Sequence, residues 1–217
     1  MSLNLFYNNG SDVCVGIDEA GRGCMMGPVF AAAVVWNPEV DATNIKDSKK
    51  ISRKNRDMLR TYIEANAVAY GIGMATHEEI DELNILNATH LAMHRALDAT
   101  KDAQYDRILV DGKSFKPYKC NAHDCIIGGD NIYVCIAAAS ILAKEHHDEW
   151  VLTHFKDDTK YDLIHNRGYG TKKHIQGIKE NGITEHHRKS FCKKYLYRGN
   201  SNESVRIIKV LCSALSR

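Results

Sequence analysis

Four acidic residues stand at or just beyond the ends of apolar runs that predict buried strands. With the run that precedes each, they are Asp18 and Glu19 after residues 13–17, Asp111 after 107–110, and Asp130 after 124–129. In open α/β sheets the carboxyl ends of the strands form the edge where ligands bind, so we expect the four acids to meet there. One such acid is typical of a turn or a helix cap, but four at a single edge favour a chemical function.

Carboxylates gathered at one place raise one another's pKa unless a divalent cation neutralises them. Because every ligand would be an oxygen atom, the pattern favours Mg²⁺ or Mn²⁺ over zinc. Two such ions about 4 Å apart stabilise the attacking and the leaving oxygen of an in-line phosphoryl displacement. The acids therefore predict nuclease-like chemistry.

Two basic runs are consistent with a polyanionic substrate. The net charge of the whole chain is only +2, but Lys and Arg are concentrated in KDSKKISRKNR (46–56) and HHRKSFCKKYLYR (186–198). A polyanion responds to local basic density more than to net charge. Each run taken alone is also typical of a solvated surface, so its interpretation depends on the acids.

The seven cysteines, at positions 14, 24, 120, 125, 135, 192 and 212, include no C-x-x-C pair. Their odd number and irregular spacing predict reduced thiols in a reducing compartment. The tightest cluster, Cys120, His123 and Cys125, suggests zinc but lacks the usual ligand spacing.

Length and composition fit one globular domain, since the chain has 217 residues, 44% of them hydrophobic and 26% charged. No apolar stretch approaches the roughly 20 residues that span a bilayer. The first residues also lack the charged and apolar regions of a signal peptide. We expect a cytoplasmic, monomeric protein without membrane association.

Hydrophobic periodicity predicts a mixed α/β chain with a central sheet. Predicted strands lie at 13–17, 29–36, 67–76, 107–110 and 124–129, and predicted helices at 48–66, 77–100 and 132–155. A break is expected near 84–87. We predict a single domain with a core of about residues 12–155 and a helical, basic C-terminal extension of about 156–217.

Six stretches spread over residues 13 to 191 resemble the ribonuclease HII family. In order they are GIDEAGRGCMMGPV (16–29), DSKKIS (47–52), VDG (110–112), GGDNIYVCIAAASILAK (128–144), NRGYGT (166–171) and HRKSF (187–191). The first and fourth stretches are highly specific, whereas VDG and HRKSF are weak by themselves. The GGD before the buried helix places the fourth acid at Asp130.

The resemblance implies a ribonuclease H-like fold, with a central five-stranded mixed sheet flanked by helices. It implies an endonuclease that cuts the RNA strand of RNA–DNA hybrids. It further implies incision of duplex DNA on the 5′ side of an embedded ribonucleotide, leaving 3′-hydroxyl and 5′-phosphate ends. By similarity, the catalytic residues and ligands of two Mn²⁺ or Mg²⁺ ions are Asp18, Glu19, Asp111 and Asp130, with Asp18 shared between the ions.

The resemblance also names residues for the substrate, which would be an RNA–DNA hybrid duplex or DNA containing ribonucleotides. In the family, the turn matching Gly21–Gly23 contacts the ribose 2′-hydroxyl, and the tyrosine matching Tyr169 stacks at the RNA–DNA junction. The further candidates for backbone contact are Arg22, Lys49, Lys50, Arg167, Thr171, His187, Arg188 and Ser190. Since phosphate contacts carry no base information, we expect little sequence preference. A replication-factor partner is left open.

Some residues depart from the family pattern. His147 stands where the family has an arginine, and we expect Asp148 after it to be a structural helix residue. The adjacent histidines at 146–147 and 186–187 are expected at the surface, because neighbouring residues of a helix face different directions. Residues 195–217 lie beyond the resemblance, and the apolar face of 205–215 predicts a helix packed on its own domain.

Three alternatives remain beside the leading hypothesis. A ribonuclease HIII would carry an extra N-terminal domain, but only about a dozen residues precede the first predicted strand here. A transposase or integrase core could hold the acids but does not explain GRG and GYGT. A protein that binds hybrids without cutting them would require the four acids to be inactive.

Overall fold

The computed structural model describes residues 3–10, 12–45, 53–100, 103–119 and 122–196. Five strands form one mixed sheet in the order β3-β2-β1-β4-β5. They are β1 (Cys14–Ala20), β2 (Val29–Val35), β3 (Ala69–Ala75), β4 (Arg107–Asp111) and β5 (Ala122–Ile126). Strands β1, β2 and β3 pair antiparallel, whereas β4 is parallel to both β1 and β5. The predicted mixed five-stranded sheet is confirmed.

The helices of the described residues cover both faces of the sheet. They are α1 (Arg53–Asn66), α2 (His77–Leu83), α3 (Ile85–Ala99), α4 (Val134–His154), α5 (Leu163–Asn166), α6 (Lys172–Asn181) and α7 (Lys189–Leu196). Helix α3 packs on β2 and β3, and α4 packs on β1 and β2 from the other side. The predicted break between α2 and α3 lies at Asn84, whose side chain accepts a bond from the Asn87 N–H and so begins α3.

Successive side chains of a strand point to opposite faces of the sheet, and this alternation decides which acids can meet. Val15 and Ile17 of β1 belong to the core beneath α3, so Gly16 and Asp18 face α4. Leu109 of β4 belongs to the core beneath α4, which places Asp111 on that same face. Ile17 pairs with Val110 in the parallel register, so Asp18 and Asp111 follow side by side.

The closest contact between helix and sheet is at Gly16. A Cβ atom there would lie 2.3 Å from the Cys135 carbonyl carbon and 2.4 Å from the Ile136 nitrogen. The small side chains of 137–139, all fully buried, continue this contact. The apolar first half of α4 can therefore lie directly against β1, on the face of the sheet that carries Asp18.

A third core joins the end of the sheet to the C-terminal helices. Met25 and Met26, from the loop after β1, pack with Val151 of α4, Ile178 of α6 and Cys192 of α7. This contact brings the loop between β1 and β2 against a segment about 150 residues later in the chain.

Two predicted boundaries were wrong. Asp18 and Glu19 lie within β1 and not after it, because the pairing of β1 with β2 continues to Ala20 opposite Phe30. Strand β5 ends at Ile126, and Asp130 lies in a single 3₁₀ turn, Gly129–Asn131, that leads into α4. The apolar run misled the prediction, since Ile127 has left the sheet and is 69% exposed.

Some expectations fall outside the described residues. These are Lys49, Lys50, Cys120 and the helix predicted over 205–215. The five cysteines that the structure describes form no disulfide. Within the described ranges, no helix combines the length and apolarity needed to cross a bilayer.

Replacing Gly16 by Ala tests the contact between α4 and β1. We expect Gly16→Ala to lower the free energy of unfolding by about 3 kcal/mol or more, because the new methyl group meets helix backbone that cannot rotate away. Urea unfolding monitored by circular dichroism measures this.

The control is Gly23→Ala, whose Cβ would meet only the Tyr169 ring at 3.7 Å. Its free energy of unfolding should stay within about 0.5 kcal/mol of the starting protein. Equal losses in the two variants would contradict the packing described here.

Candidate active site

Asp18 is a carboxylate buried in a central strand, and its residue is only 5% exposed. Its Oδ1 accepts a hydrogen bond from the Glu19 N–H at 2.7 Å, and Ser140 of α4 bonds to it from the facing helix. Burial raises the pKa of Asp18 well above its usual range, and the carboxylates of Glu19 and Asp111 raise it further. Asp18 is thus the electrostatic centre of the acid group.

Glu19 is held by an arginine from the turn that follows it. The Arg22 Nη1 donates to the Glu19 Oε1 at 3.0 Å. Burial raises the pKa of Glu19; Arg22 opposes this shift, and the Asp111 carboxylate adds to it. Because Asp111 raises the pKa of both Asp18 and Glu19, these three carboxylates share one electrostatic site.

The other two acids are linked through the turn before α4. The Gly129 N–H donates to the Asp111 Oδ1 at 2.8 Å, which ties the end of β4 to this turn. Asp130, in the same turn, is 3% exposed, and the Asn131 Nδ2 donates to its Oδ1 at 2.8 Å. All four predicted acids therefore lie at the edge formed by β1, β4 and the start of α4.

The donor chemistry of this edge fits a hard divalent cation, since the four acids offer only oxygen atoms and the coupled carboxylates repel one another. In the described part of the chain, no three His, Cys, Asp or Glu side chains are arranged to hold one ion. Glu19 is turned to Arg22 and Asp111 to Gly129. The fit therefore rests on donor chemistry, not on a formed coordination shell.

The turn after the acids requires glycine at its first position. Gly21 has a φ of +86°, and a Cβ there would lie 2.5 Å from the Cδ2 atom of His147. Gly23 is exposed, and the space beside it is bounded by the Tyr169 ring. We call Gly21–Gly23 the reading turn. The structure brings it together with Tyr169 from a distant part of the sequence.

Backbone and ring contacts hold Tyr169 at this place. Cys24 and Tyr169 form an isolated antiparallel bridge, and the Met25 N–H donates to the Gly168 oxygen at 2.8 Å. The Lys144 Nζ lies 5.4 Å from the centre of the Tyr169 ring. Burial raises the pKa of Tyr169 to about 12, so its hydroxyl remains a donor at neutral pH.

The other described candidates for substrate contact lie in the segments around Tyr169. Thr171 caps α6, where its Oγ1 accepts from the His174 N–H at 3.3 Å. Ser190 is exposed, and its Oγ donates to the Asp81 Oδ1 at 2.5 Å. Arg167 is half-buried, with Nη1 3.4 Å from the Leu163 oxygen.

The expectation of phosphate contact was wrong for Arg188 and His187. Both are fully buried, so neither side chain can reach a duplex on the surface. All three guanidinium nitrogens of Arg188 donate to carbonyl oxygens of the loop after β1. The basic character of the run 186–198 suggested a surface, but tertiary contacts bury these two residues.

His187 and His174 form a bonded pair that ends at Tyr169. The Thr184 N–H donates to the His187 Nδ1 at 3.0 Å, which leaves the proton of His187 on Nε2. That Nε2 donates to the His174 Nε2 at 3.2 Å, and the His174 Nδ1 donates to the Tyr169 oxygen at 3.0 Å. These bonds assign one neutral tautomer to each ring.

His147 was also expected at the surface and is instead fully buried. Its Nε2 lies 3.4 Å from the Cys24 Sγ, and its Nδ1 lies 3.0 Å from the Asp148 Oδ1. The order of these groups resembles an activated thiol, but burial raises the pKa of Cys24 to about 12. At neutral pH a thiol with this pKa stays protonated, and the His147 ring lies against Gly21. The sequence marked this position only by its departure from the family pattern, a histidine in place of an arginine.

Asp148 has the structural contacts that its expected role requires. Its Oδ1 accepts from the Lys144 Nζ at 2.7 Å, one turn earlier on α4, as well as pairing with His147. These bonds lower the pKa of Asp148 against the opposing effect of burial.

Comparison with known proteins finds the same family over most of the chain. The family model described as Ribonuclease HII matches residues 15–197. The curated protein "Ribonuclease HII" of Christiangramia forsetii is 50% identical over 186 residues, which cover 86% of this chain and 93% of the relative. These matches favour ribonuclease HII over the ribonuclease HIII alternative.

Two solved structures share the fold. The chain matches the PCNA:RNase HII complex from Archaeoglobus fulgidus with a TM-score of 0.69 and 21% identity, covering 88% of this chain and 99% of that chain. It matches Bst-RNase HIII in complex with Mn²⁺ with a TM-score of 0.59 and 17% identity, covering 92% and 71%.

The histidine pair should make stability depend on pH. The pKa of His187 is lowered from 6.5 to about 4 by burial first, then by His174, His186 and His77, while Asp158 opposes the shift. Above pH 6.5 the folded protein carries no penalty from this group. As the pH falls from 6.5 towards 4, the unfolded chain binds a proton that the folded protein excludes, so stability decreases.

We expect His187→Gln to reduce the slope of the unfolding free energy against pH in this window by up to about 1.4 kcal/mol per pH unit. Urea unfolding at a series of pH values measures it. Ile178→Val, in the core that contains Met25 and Met26, is the control, and should cost about 1 kcal/mol at every pH without changing the slope. An unchanged slope in His187→Gln would mean that His187 is not buried as a neutral group.

Proposed function

The chain belongs to the ribonuclease HII family, and on that premise we propose that it incises duplex DNA on the 5′ side of an embedded ribonucleotide. As a member it is a ribonuclease H-type endonuclease that hydrolyses the RNA strand of RNA–DNA hybrids. The finer proposal adds the position of the cut and its product ends, a 3′-hydroxyl and a 5′-phosphate.

One observation carries this proposal: the reading turn begins two residues after Glu19 and lies against Tyr169. Only the 2′-hydroxyl distinguishes a ribonucleotide from a deoxyribonucleotide within a duplex, so a single-ribonucleotide enzyme must test that group beside the scissile bond. A turn without side chains at Gly21 and Gly23 lets backbone groups approach a sugar closely. Tyr169 offers an aromatic ring at the same place.

We propose Mn²⁺ or Mg²⁺ as the cofactor, with two ions during catalysis. The residues that would hold them are Asp18, Glu19, Asp111 and Asp130. When bound, such ions lower the pKa of a water molecule for attack and stabilise charge on the leaving oxygen. The Mn²⁺ named for the solved Bst-RNase HIII complex supports this class of ion.

The chain's own residues position the acids and limit the access of water to Asp18. α4 covers Asp18 and fixes its direction through Ser140, and Gly129 fixes Asp111 through its N–H. Arg22 is half-exposed and bonds to Glu19, so it lies where a phosphate of the cut strand would approach. We propose that Arg22, Arg167 and Thr171 face the sugar–phosphate backbone of the substrate. The substrate contacts of Lys49 and Lys50 remain predictions.

The test uses an end-labelled DNA duplex with one ribonucleotide, beside an all-DNA duplex and a continuous RNA–DNA hybrid. Each is incubated with Mg²⁺, with Mn²⁺ and with chelator, and product ends are mapped to the nucleotide. We expect a metal-dependent cut on the 5′ side of the lone ribonucleotide and no cut in the all-DNA duplex. Cutting only in the continuous hybrid would contradict the assignment of the reading turn.

Asp111→Asn is the matched variant for this assay. The metal site would lose one charge, so the cleavage rate should fall by at least about a hundredfold. Binding of the duplex should be largely kept, because it rests mainly on phosphate contacts. Cleavage by this variant at the normal rate would show that the metal ligands are wrongly assigned. No cleavage by the unmodified protein with any metal would favour a binding protein.

A further inference from the structure

Arg188 devotes its whole guanidinium group to one loop. Its Nε donates to the Gly27 oxygen at 2.9 Å, its Nη1 to the Arg22 oxygen at 2.9 Å, and its Nη2 to the Pro28 oxygen at 3.0 Å. These carbonyls belong to the segment that connects β1 with β2 and contains the reading turn. The arginine comes from about 160 residues later in the chain.

Burying this group is costly, so its presence needs a reason other than filling space. Burial lowers the pKa of Arg188 to about 10, which still leaves it charged at neutral pH. An apolar residue of similar volume would fill the site without the cost of removing a cation from water. A guanidinium group, however, presents donors in fixed directions that a flexible or apolar side chain cannot match.

Backbone bonds on both sides complete the support of the loop. On one side, Cys24 bridges Tyr169 and the Met25 N–H donates to Gly168. On the other, the Arg188 N–H donates to the Met25 oxygen at 2.8 Å, and the Gly27 N–H donates to the His186 oxygen at 2.9 Å. Residues 24–27 are thus fixed between the Tyr169 segment and the segment 186–188.

The residue before Arg188 supports the other half of the same site. His187 bonds to His174, and His174 donates to the carbonyl oxygen of Tyr169. Two consecutive buried residues therefore reach the two elements proposed to read the ribonucleotide. One reaches the reading turn directly, and the other reaches Tyr169 through a single intermediate ring.

We infer that His187–Arg188 is a positioning element that fixes the reading turn and Tyr169 relative to each other. The inference rests on the proposed function, since it assigns to these residues the geometry of ribonucleotide recognition. Arg188 and His187 do not touch the substrate. They act through the backbone of Arg22–Pro28 and of Tyr169, so their loss changes the rate of cleavage more than the affinity for the duplex.

The test compares Arg188→Lys and Arg188→Met with Arg107→Lys and Arg107→Met. Arg107 is the control, because its side chain makes two bonds, to Asp12 and Asp124, where that of Arg188 makes three, and it lies at the opposite end of β4 from Asp111. For Arg188→Lys we expect the single-turnover rate on the lone-ribonucleotide duplex to fall at least about tenfold. Its Kd for the duplex should stay within about twofold, and the Arg107 variants should cleave at the normal rate.

A second measurement does not depend on activity. Amide hydrogen exchange at Cys24, Met25 and Gly27 reports the loop, since each of these N–H groups is hydrogen-bonded in the structure. Arg188→Lys should speed exchange at these three amides at least about tenfold and leave strand β2 unchanged. Exchange that rises equally throughout the sheet would indicate general destabilisation and overturn the inference.

Salt dependence separates positioning from phosphate contact. If Arg188 neutralised a phosphate, Arg188→Met would reduce the slope of log affinity against log salt by about one, while Arg188→Lys would keep it. We expect neither variant to change the slope. A reduced slope in Arg188→Met with unchanged amide exchange would overturn the inference. If the unmodified protein does not cut the lone ribonucleotide, the proposed function fails, and the exchange result still decides the role of Arg188.

Discussion

The structure depends on a carboxylate that is buried inside its central strand. Asp18 lies in β1, between β2 and β4, with α4 packed over it. Only 5% of this residue is exposed to water, and two further carboxylates lie close enough to raise its pKa. The arrangement is costly for folding alone and useful for holding a cation, since buried like charges require positive charge nearby.

Local packing makes that burial possible. The absence of a side chain at Gly16 lets α4 touch the backbone of β1, and Ser140 then reaches Asp18 from the same helix. The 3₁₀ turn before α4 brings in Asp130 and, through the Gly129 N–H, fixes Asp111. Helix α4 and the turn before it therefore set the positions of three acids, and the first half of the helix is apolar on almost every side because it is buried in the core.

The reading turn depends on distant residues as well as on its local bonds, which join Arg22 to Glu19 and the Cys24 N–H to the Gly21 oxygen. The backbone groups of the loop after β1 find partners in the Tyr169 segment and in Arg188, far away in the chain. Buried backbone groups must be hydrogen-bonded, so this loop can have its native form only after the C-terminal helices have packed. The acid edge thus depends mainly on α4 and the turn before it, whereas the reading turn also needs the C-terminal segments.

Much of this could be predicted from the sequence. Periodicity located the five strands and the main helices, and the strand-end acids predicted the edge of the sheet at which the structure brings them together. Asp130 was placed correctly near the start of α4, although its strand ended earlier than expected. These features depend on local patterns, which a sequence displays directly.

The burial of Arg188, His187 and His147 could not be predicted in this way. Charged and imidazole side chains are usually exposed. For His147 and Arg188, contacts across about 120 to 170 residues reverse that preference, and His187 is bonded within its own segment to Thr184 and His174. The motif match assigned Arg188 and His187 to contact with the substrate backbone and marked His147 only as a departure from the family pattern. The role follows from which backbone atoms each side chain meets.

The most direct test of the central claim is Mn²⁺ binding measured by isothermal titration calorimetry on the unmodified protein, Asp18→Asn and Asp124→Asn. Asp124 of β5 pairs with Arg107 of β4 and is an acid of the same sheet outside the proposed site. The account predicts that Asp18→Asn weakens Mn²⁺ binding by at least about tenfold, while Asp124→Asn binds Mn²⁺ normally. Equal binding by Asp18→Asn and the unmodified protein would contradict it, because the buried carboxylate would then have no part in holding the ion.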